Sequence, residues 1–158
     1  ETEEDVEALR SVISDESLDP AMVAYLLALP SEAYIAETRK SYDPVAIHNG
    51  REQVLSAVAE ALKEDFQACY ERLNIVAEYQ PAPADMARRS LKNLALSFWA
   101  RASADGVAAA KAQFTSADNM TDQMAALRVL VTCGDEPEAL EALNTFYEQW
   151  KHLSLIHI

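Results

Sequence analysis

Apolar residues recur at every third or fourth position through most of the chain, and short stretches rich in Pro, Asp or Gly separate these runs. This spacing places the apolar side chains on one face of a helix. No run shows the period-two alternation that is typical of a half-buried strand. The pattern therefore predicts six or seven helices of unequal length joined by short turns, and an all-α fold.

Two Asp-Pro pairs mark predicted helix starts. Asp19 and Asp43 are each followed by proline, and an aspartate N-cap followed by proline in the first turn is a strong start signal. The first pair predicts a helix over 21–29, and a short helix over 31–37 follows it. The second pair opens the longest periodic run of the chain.

We expect that run to form one helix that begins after Asp43 and ends before Pro81. It would be about 45 to 50 Å long at roughly 1.5 Å per residue. Its predicted stripe comprises Ile47, Arg51, Val54, Val58, Leu62, Phe66, Cys69, Leu73 and Val76.

Four more helices are predicted in the second half. The first closes near Asp105, a shorter one covers 107–114, the third lies between Asn119 and a C-cap at Gly134, and the last begins at Pro137. The three longer helices have predicted apolar faces made of Ala87, Leu91, Leu94, Ala95, Phe98 and Ala102; of Met120, Met124, Leu127, Leu130 and Val131; and of Ala139, Leu140, Leu143, Phe146, Tyr147 and Trp150.

The stretch Asp118-Asn119-Met120-Thr121-Asp122 could be a metal loop or a helix start. A calcium loop needs alternating oxygen ligands, a glycine at the turn and a terminal Glu, whereas this stretch has no glycine and only two carboxylates. We therefore interpret it as a cap, in which the Asn119 side chain accepts from the Asp122 N–H and Asp122 lies near the positive end of the helix dipole.

Charge and composition limit the class of partner. The formal net charge is −13, so electrostatic attraction to nucleic acid or to an anionic membrane is unfavourable. No apolar run approaches the ~20 residues of a membrane span. Cys69 and Cys133 are predicted to be reduced, buried thiols, which together with these features predicts a cytoplasmic protein.

The search for catalytic and metal-binding motifs finds none. The histidines are His48, His152 and His157, and the chain has no H-E-x-x-H, C-x-x-C, nucleophile elbow or phosphate loop. We predict no catalytic residue and no metal ligand in this segment. His48 is expected to face solvent or a hydrogen-bonding partner.

One basic and aromatic group is conspicuous in an acidic chain. Arg88, Arg89, Lys92 and Trp99 lie on the same predicted helix, and Arg88, Lys92 and Trp99 are predicted to lie opposite the apolar stripe. The bland interpretation pairs the cations with carboxylates of an adjoining helix. The functional one is a contact surface for another domain of the same polypeptide.

Several stretches in register resemble a known family. "VISDESLDPAMVAYLLALPSE", "DPVAIHNGREQVL", "RRSLKNLAL" and "ADNMTDQMAALRVL" resemble the carboxy-terminal helical domain of the bacterial aminopeptidase N family, the zinc-dependent alanyl aminopeptidases. The resemblance runs from about Val12 to Trp150. It implies an irregular array of antiparallel helix pairs, an α-superhelix, of which this chain is the first part.

The resemblance also implies a function. The segment would be a non-catalytic domain that encloses the active site of an enzyme removing N-terminal residues from peptides, with the catalytic domain of the same polypeptide as its partner. Zinc would belong to that domain, whose H-E-x-x-H motif is absent from this chain. The alternative is a stand-alone acidic α-solenoid that binds a partner protein, and an independent hydrolase using Asp and Glu is weaker still.

The predicted boundaries are 1–18 for an acidic lead-in and the end of a preceding segment, 19–152 for the partial helical array, and 153–158 for a non-native tail. The ending "LSLIHI" does not resemble the family and looks like vector-derived sequence.

Overall fold

Nine α-helices form most of the part of the chain that the computed structural model describes, residues 3–75 and 79–153. No strand occurs within these ranges, and the all-α prediction is confirmed. The helices are α1 (Glu3–Ser14), α2 (Pro20–Leu27), α3 (Glu32–Glu37), α4 (Pro44–Ala61), α5 (Lys63–Leu73), α6 (Pro83–Ala102), α7 (Ala104–Ser116), α8 (Met120–Cys133) and α9 (Glu136–Trp150).

Side-chain caps fix three of the helix starts. The carboxylates of Asp19 and Asp43 accept from N–H groups two residues on, at 2.8 and 2.9 Å. The Asn119 side chain accepts from the Asp122 N–H at 2.9 Å. Each cap satisfies donors that the first turn of a helix leaves without an intrahelical partner.

Helix α6 is the centre of the array. It packs against α2, α4, α5, α7 and α8, while α9 packs on α8. The Phe66 ring stacks on the Phe98 ring with centroids 4.5 Å apart, which joins α5 to α6 in the core. Burying a side chain of this size stabilises the fold by about 1.5–3 kcal/mol, so the α5–α6 contact is a major part of the core.

The prediction of one long helix is wrong, because the helix is interrupted at Leu62. This residue has φ −120° and ψ 26° and its side chain is fully buried between α4 and α5. The guanidinium of Arg10, on α1, donates to the Ala61 carbonyl at 3.4 Å and to the Asp65 carboxylate at 3.2 Å. Helix α1 thus supplies a partner at a helix end. Val76, the last residue of the predicted stripe, lies outside the described residues.

The boundary between α6 and α7 differs from the prediction, and two terminal segments relate to the predicted domain limits. Residues 3–14, within the predicted lead-in, form α1, and its Ile13 is only 3% exposed. Helix α6 ends at Ala102 and α7 begins at Ala104, because the Ser103 hydroxyl accepts from the Asp105 N–H and caps α7 early. Residues 154–158 of the predicted tail lie outside the described residues.

The predicted apolar faces of α8 and α9 are only partly buried. Leu127 and Leu130 lie in the core, but Met124 and Val131 are exposed. On α9 the buried residue is Ala142, and the predicted face residues Leu140, Leu143 and Tyr147 are all more than two-fifths exposed. The reason is that α8 is the main packing neighbour of α9 in the described chain, so a narrow stripe is enough.

The described cysteines and helices bear on two further predictions. Cys69 is buried, Cys133 is half-buried, and both are free thiols. Burial raises the pKa of the Cys69 thiol, which keeps it protonated. None of the described helices combines the length and apolar character needed to cross a bilayer.

Candidate functional site

The basic and aromatic group of α6 is largely buried. Arg89, Lys92 and Trp99 are 4%, 4% and 5% exposed, and the Arg88 side chain is 18% exposed. A contact of these residues with another domain therefore stays a prediction, but within this chain their side chains are mostly covered. Helix α6 has neighbours on several sides, so residues opposite its apolar stripe are covered by other helices and by the connection from α5.

Arg88 and Arg89 form hydrogen bonds with backbone carbonyls at the end of α5 and in the connection that leads from α5 to α6. The Arg88 guanidinium donates to the Leu73 carbonyl at 2.9 Å, where α5 ends. The Arg89 guanidinium donates twice to the Gln80 carbonyl, at 3.2 and 3.1 Å, and lies 4.7 Å from the centre of the Tyr79 ring. Both arginines thus bind backbone near the two ends of the connection, and the cation–π contact adds to this attachment.

Lys92 forms a buried ion pair with Asp122 of α8. The Nζ to Oδ2 distance is 2.7 Å, and the two side chains are 5% and 10% exposed. The Asn93 amide donates to the other carboxylate oxygen at 2.8 Å, and the Asn119 amide donates to Oδ2 at 3.3 Å. The carboxylate is therefore well supplied with donors, which a buried ion pair needs if it is to offset its desolvation cost.

Gln113 of α7 extends this network. Its amide nitrogen donates to the Asn93 side-chain oxygen at 2.9 Å and to the Asp122 backbone carbonyl at 3.0 Å. Its oxygen accepts from the Tyr70 hydroxyl of α5 at 3.2 Å. We call Tyr70, Lys92, Asn93, Gln113 and Asp122 the polar cluster. It joins four helices through hydrogen-bonded side chains.

Burial and charge shift two pKa values in the polar cluster. Burial opposes the charged form of Asp122, but the hydrogen bonds from Lys92 and Asn93 and the lysine charge outweigh it and lower the pKa of this carboxyl. Burial, helped by the nearby Asp122 charge, raises the pKa of Tyr70 to about 12. Asp122 is therefore ionised and Tyr70 neutral at neutral pH.

The polar cluster is built for structure rather than for chemistry. Lys92 and Asp122 line a cavity of about 280 Å³, but each of these charged groups is held by a partner. Among the described residues, no three His, Cys, Asp or Glu side chains come together as a metal site. His48, one of the described histidines, is exposed and its Nδ1 lies 2.9 Å from the Glu32 carboxylate.

The sequence predicts that cations of this group pair with carboxylates of an adjoining helix, and Lys92 does so, but the sequence did not identify Asp122 as its partner. The assignment of Asp122 to the first turn of a helix is correct. Lys92 and Asp122 are 30 residues apart in sequence. One signal could have shown the burial of Lys92: it shares a helical face with Leu96 and Trp99, at spacings of four and seven residues.

A groove lies beside the polar cluster, between α2, α6 and α8, with a volume of about 800 Å³. We call it the three-helix groove. Its small lining residues are Ala21, Ala24, Ala28, Ser90, Ser97 and Ala125. Its larger ones are Tyr25, Leu94, Met120, Met124 and Arg128, together with Thr121 and with Asn93, which belongs to both features.

The chain matches a family model and several known proteins. Residues 1–157 match the model described as "Domain of unknown function (DUF3458_C) ARM repeats". The chain is 39% identical over 127 residues to aminopeptidase N of Escherichia coli, with 79% of this chain and 14% of the relative covered. It is 31% identical over 151 residues to aminopeptidase N of Caulobacter vibrioides, with 95% and 17% covered.

A solved structure shows the same helical architecture. The crystal structure of Legionella pneumophila aminopeptidase A in complex with aspartic acid matches with a TM-score of 0.78 and 27% identity, over 96% of this chain and 19% of that one. The chain thus spans less than one-fifth of the length of each of these relatives. It belongs to the DUF3458_C ARM-repeat family, the carboxy-terminal helical domain of the aminopeptidase N family.

Proposed function

We propose that this chain is a non-catalytic segment of a zinc-dependent aminopeptidase, and that it encloses the active site and controls which peptides reach it. The observation that carries the proposal is the match to aminopeptidase N over 95% of the chain. The parent enzyme would remove N-terminal residues from peptides. The catalytic domain of the same polypeptide would be the partner of this segment.

The fold supports an enclosing role because it is held rigidly from within. The polar cluster joins α5, α6, α7 and α8, and Arg101 of α6 pairs with Glu52 of α4 at 2.7 Å. A wall that limits entry to an active site has to keep its shape when it meets a bulky substrate. Fixed helix-to-helix contacts of this kind provide that resistance.

Zinc would be held by the catalytic part of the parent enzyme. The described residues of this segment offer no fitting set of ligands, so its role would be steric and electrostatic. We also propose that the enzyme is cytoplasmic. The net charge of −13 on this segment supports the absence of a nucleic-acid or anionic-membrane contact through it. An alanyl preference is part of the proposal and is the feature that a substrate panel tests.

The test uses the whole polypeptide that carries this segment. Its rates are measured on alanyl and aspartyl anilides, on an octapeptide, and on a folded protein with a short free N-terminus. We expect hydrolysis that is lost on zinc chelation and that falls steeply with substrate bulk. Asp122→Asn, which loosens the helical wall, should weaken the discrimination against bulk, whereas Lys111→Met at an exposed pair should not.

The outcomes separate the two parts of the proposal. If the polypeptide hydrolyses none of these substrates, the aminopeptidase assignment fails and the stand-alone acidic α-solenoid becomes the leading account. If it hydrolyses them, but bulk discrimination is the same in the wild type and in Asp122→Asn, the enclosing role fails while the enzyme class stands.

A further inference from the structure

We propose that the three-helix groove binds the carboxyl-terminal end of an apolar peptide, with the terminal carboxylate paired to Arg128. The proposal rests on the proposed function, because peptide substrates of such an enzyme would contact the segment that encloses its active site. It assigns to this segment a direct contact with substrate, far from the N-terminus that would be cleaved.

The local charge of the groove differs from that of the chain as a whole. Carboxylates outnumber Lys and Arg by 26 to 13 in the chain, yet the residues that line the groove include Arg128 and no Asp or Glu. The field of the chain repels an anion over most of its surface. In the groove, the carboxylate of a ligand can bind Arg128 without competition from a carboxylate of the lining residues.

Arg128 is available to bind an anion. It is exposed, and its guanidinium forms no ion pair or hydrogen bond within the described parts of the chain. The other cations near the groove are engaged: Lys92 with Asp122, and Arg88 with Asp85 and the Leu73 carbonyl. A guanidinium presents a planar set of donors that matches a carboxylate in two parallel hydrogen bonds.

An apolar surface of the groove leads to Arg128. Met120, Met124 and Arg128 follow one another at intervals of four on α8, so they form a stripe about 12 Å long. Met124 of this stripe is 47% exposed, and Tyr25, across the groove on α2, is 78% exposed. A stripe of this length accommodates three or four extended residues at about 3.3 Å each. Methionine side chains adapt to apolar residues of different shape.

The position of the cation favours a chain end over an acidic side chain. Arg128 is the lining residue nearest the C-terminal end of α8, and the apolar α8 lining residues precede it. A ligand with its charge at one end and apolar residues before it matches this order. The small side chains of Ala21, Ala24, Ala125 and Ser97 let a peptide backbone approach closely.

The test measures binding to the chain as it stands. An N-acetylated Leu-Leu-Phe-Leu tetrapeptide is titrated as the free acid and as the C-terminal amide, with amide NMR shifts as the readout. We expect the acid to bind about tenfold more tightly than the amide, as one charge-assisted hydrogen-bonded pair allows. The shifts should fall on residues of α2, α6 and α8.

Arg128→Gln should remove the preference for the acid while leaving the weak binding of the amide. Lys40→Gln, which changes an exposed cation outside the groove, should leave the preference intact. Equal affinity of acid and amide, a preference that survives in Arg128→Gln, shifts that lie on α3 and α4, or no binding at all would each overturn the proposal. Because hydrolysis is not measured, failure here is distinguishable from failure of the aminopeptidase assignment.

Discussion

Lys92 and Asp122 are two charges that folding removes almost completely from water. Desolvation of such a pair costs several kcal/mol, roughly as much as its attraction returns. What the pair adds is specificity: Lys92 on α6 meets a carboxylate oriented by Asn93 and Asn119. A shift of α8 along α6 would leave both charges buried without partners, so the pair fixes the register of the two helices.

We therefore predict that Asp122→Asn lowers the free energy of unfolding by about 3–5 kcal/mol, because it leaves the Lys92 charge buried without its counter-ion. Urea denaturation followed by circular dichroism measures the change. The matched control is Glu138→Gln, which breaks the exposed pair with Lys111 and should cost about 1 kcal/mol or less. Similar losses in the two variants would show that the Lys92–Asp122 pair carries no special weight.

The pH dependence of the same pair gives a second prediction. The pKa of Asp122 is lowered in the folded state, so its stabilising effect is complete above its unfolded pKa of about 3.9. That effect is lost as the pH falls below this value and through the lower folded pKa. The difference in unfolding free energy between the wild type and Asp122→Asn should be constant from neutral pH to about 5 and shrink below about 4. A difference that shrinks already between pH 6 and 5 would contradict the lowered pKa.

At the scale of the helices, short-range features could be predicted from the sequence and long-range ones could not. The side chains of Asp19, Asp43 and Asn119 accept from N–H groups two or three residues away. These caps are therefore local in sequence and can be predicted from it. The interruption at Leu62 is accompanied by a contact from α1, in which Arg10 donates to the Ala61 carbonyl. The helical periodicity of the sequence does not predict that contact.

The same distinction explains the candidate site. The periodicity of α6 identifies one apolar stripe, but the number of helices that surround α6 decides whether Lys92 and Trp99 are buried. Five helices pack on α6 in the described chain. The three-helix groove could not be predicted from the sequence either, because Tyr25, Leu94 and Arg128 come together only when α2, α6 and α8 lie side by side.

The contact between α6 and α7 gives a prediction at this scale. A methyl group at Gly106, in the first turn of α7, would lie 2.6 Å from the Ala100 backbone nitrogen of α6. Backbone cannot move aside as a flexible side chain can, so Gly106→Ala should destabilise the fold by about 1–3 kcal/mol. Urea denaturation measures this loss.

Gly50 is the matched control. It lies within α4 and a methyl group there meets nothing within 4 Å. Gly50→Ala should therefore stabilise the fold by about 0.5–1 kcal/mol, since alanine loses less backbone entropy in a helix. If both substitutions changed stability in the same direction, the close approach of α7 to α6 would not be the cause.

At the scale of the whole molecule, a surplus of carboxylates surrounds a groove that has none. The formal charge is −13, from 26 acidic and 13 basic residues. Many of the cations form ion pairs, including Arg10 with Asp65 and Arg101 with Glu52. Self-repulsion of the remaining carboxylates destabilises the compact state, while local pairs oppose it.

These two effects respond to salt in opposite directions, and their balance can be predicted. Salt screens the attraction of exposed pairs, which is worth about 0–1 kcal/mol each. It also screens the repulsion among the carboxylates, which outnumber the Lys and Arg residues by 26 to 13. The Debye length falls from about 30 Å at 0.01 M to about 10 Å at 0.1 M, so repulsion across the molecule is suppressed while close pairs keep much of their attraction.

We therefore expect the unfolding free energy at pH 7 to rise by about 1–2 kcal/mol when NaCl is raised from about 0.01 to about 0.3 M, with the buried Lys92–Asp122 pair unaffected. Urea denaturation at each salt concentration measures the rise. The control is the same series near the pI of about 4.5, where the net charge is small and the gain should vanish or reverse. A gain of equal size at both pH values would mean that salt acts through apolar burial and that charge repulsion does not limit the stability of this domain.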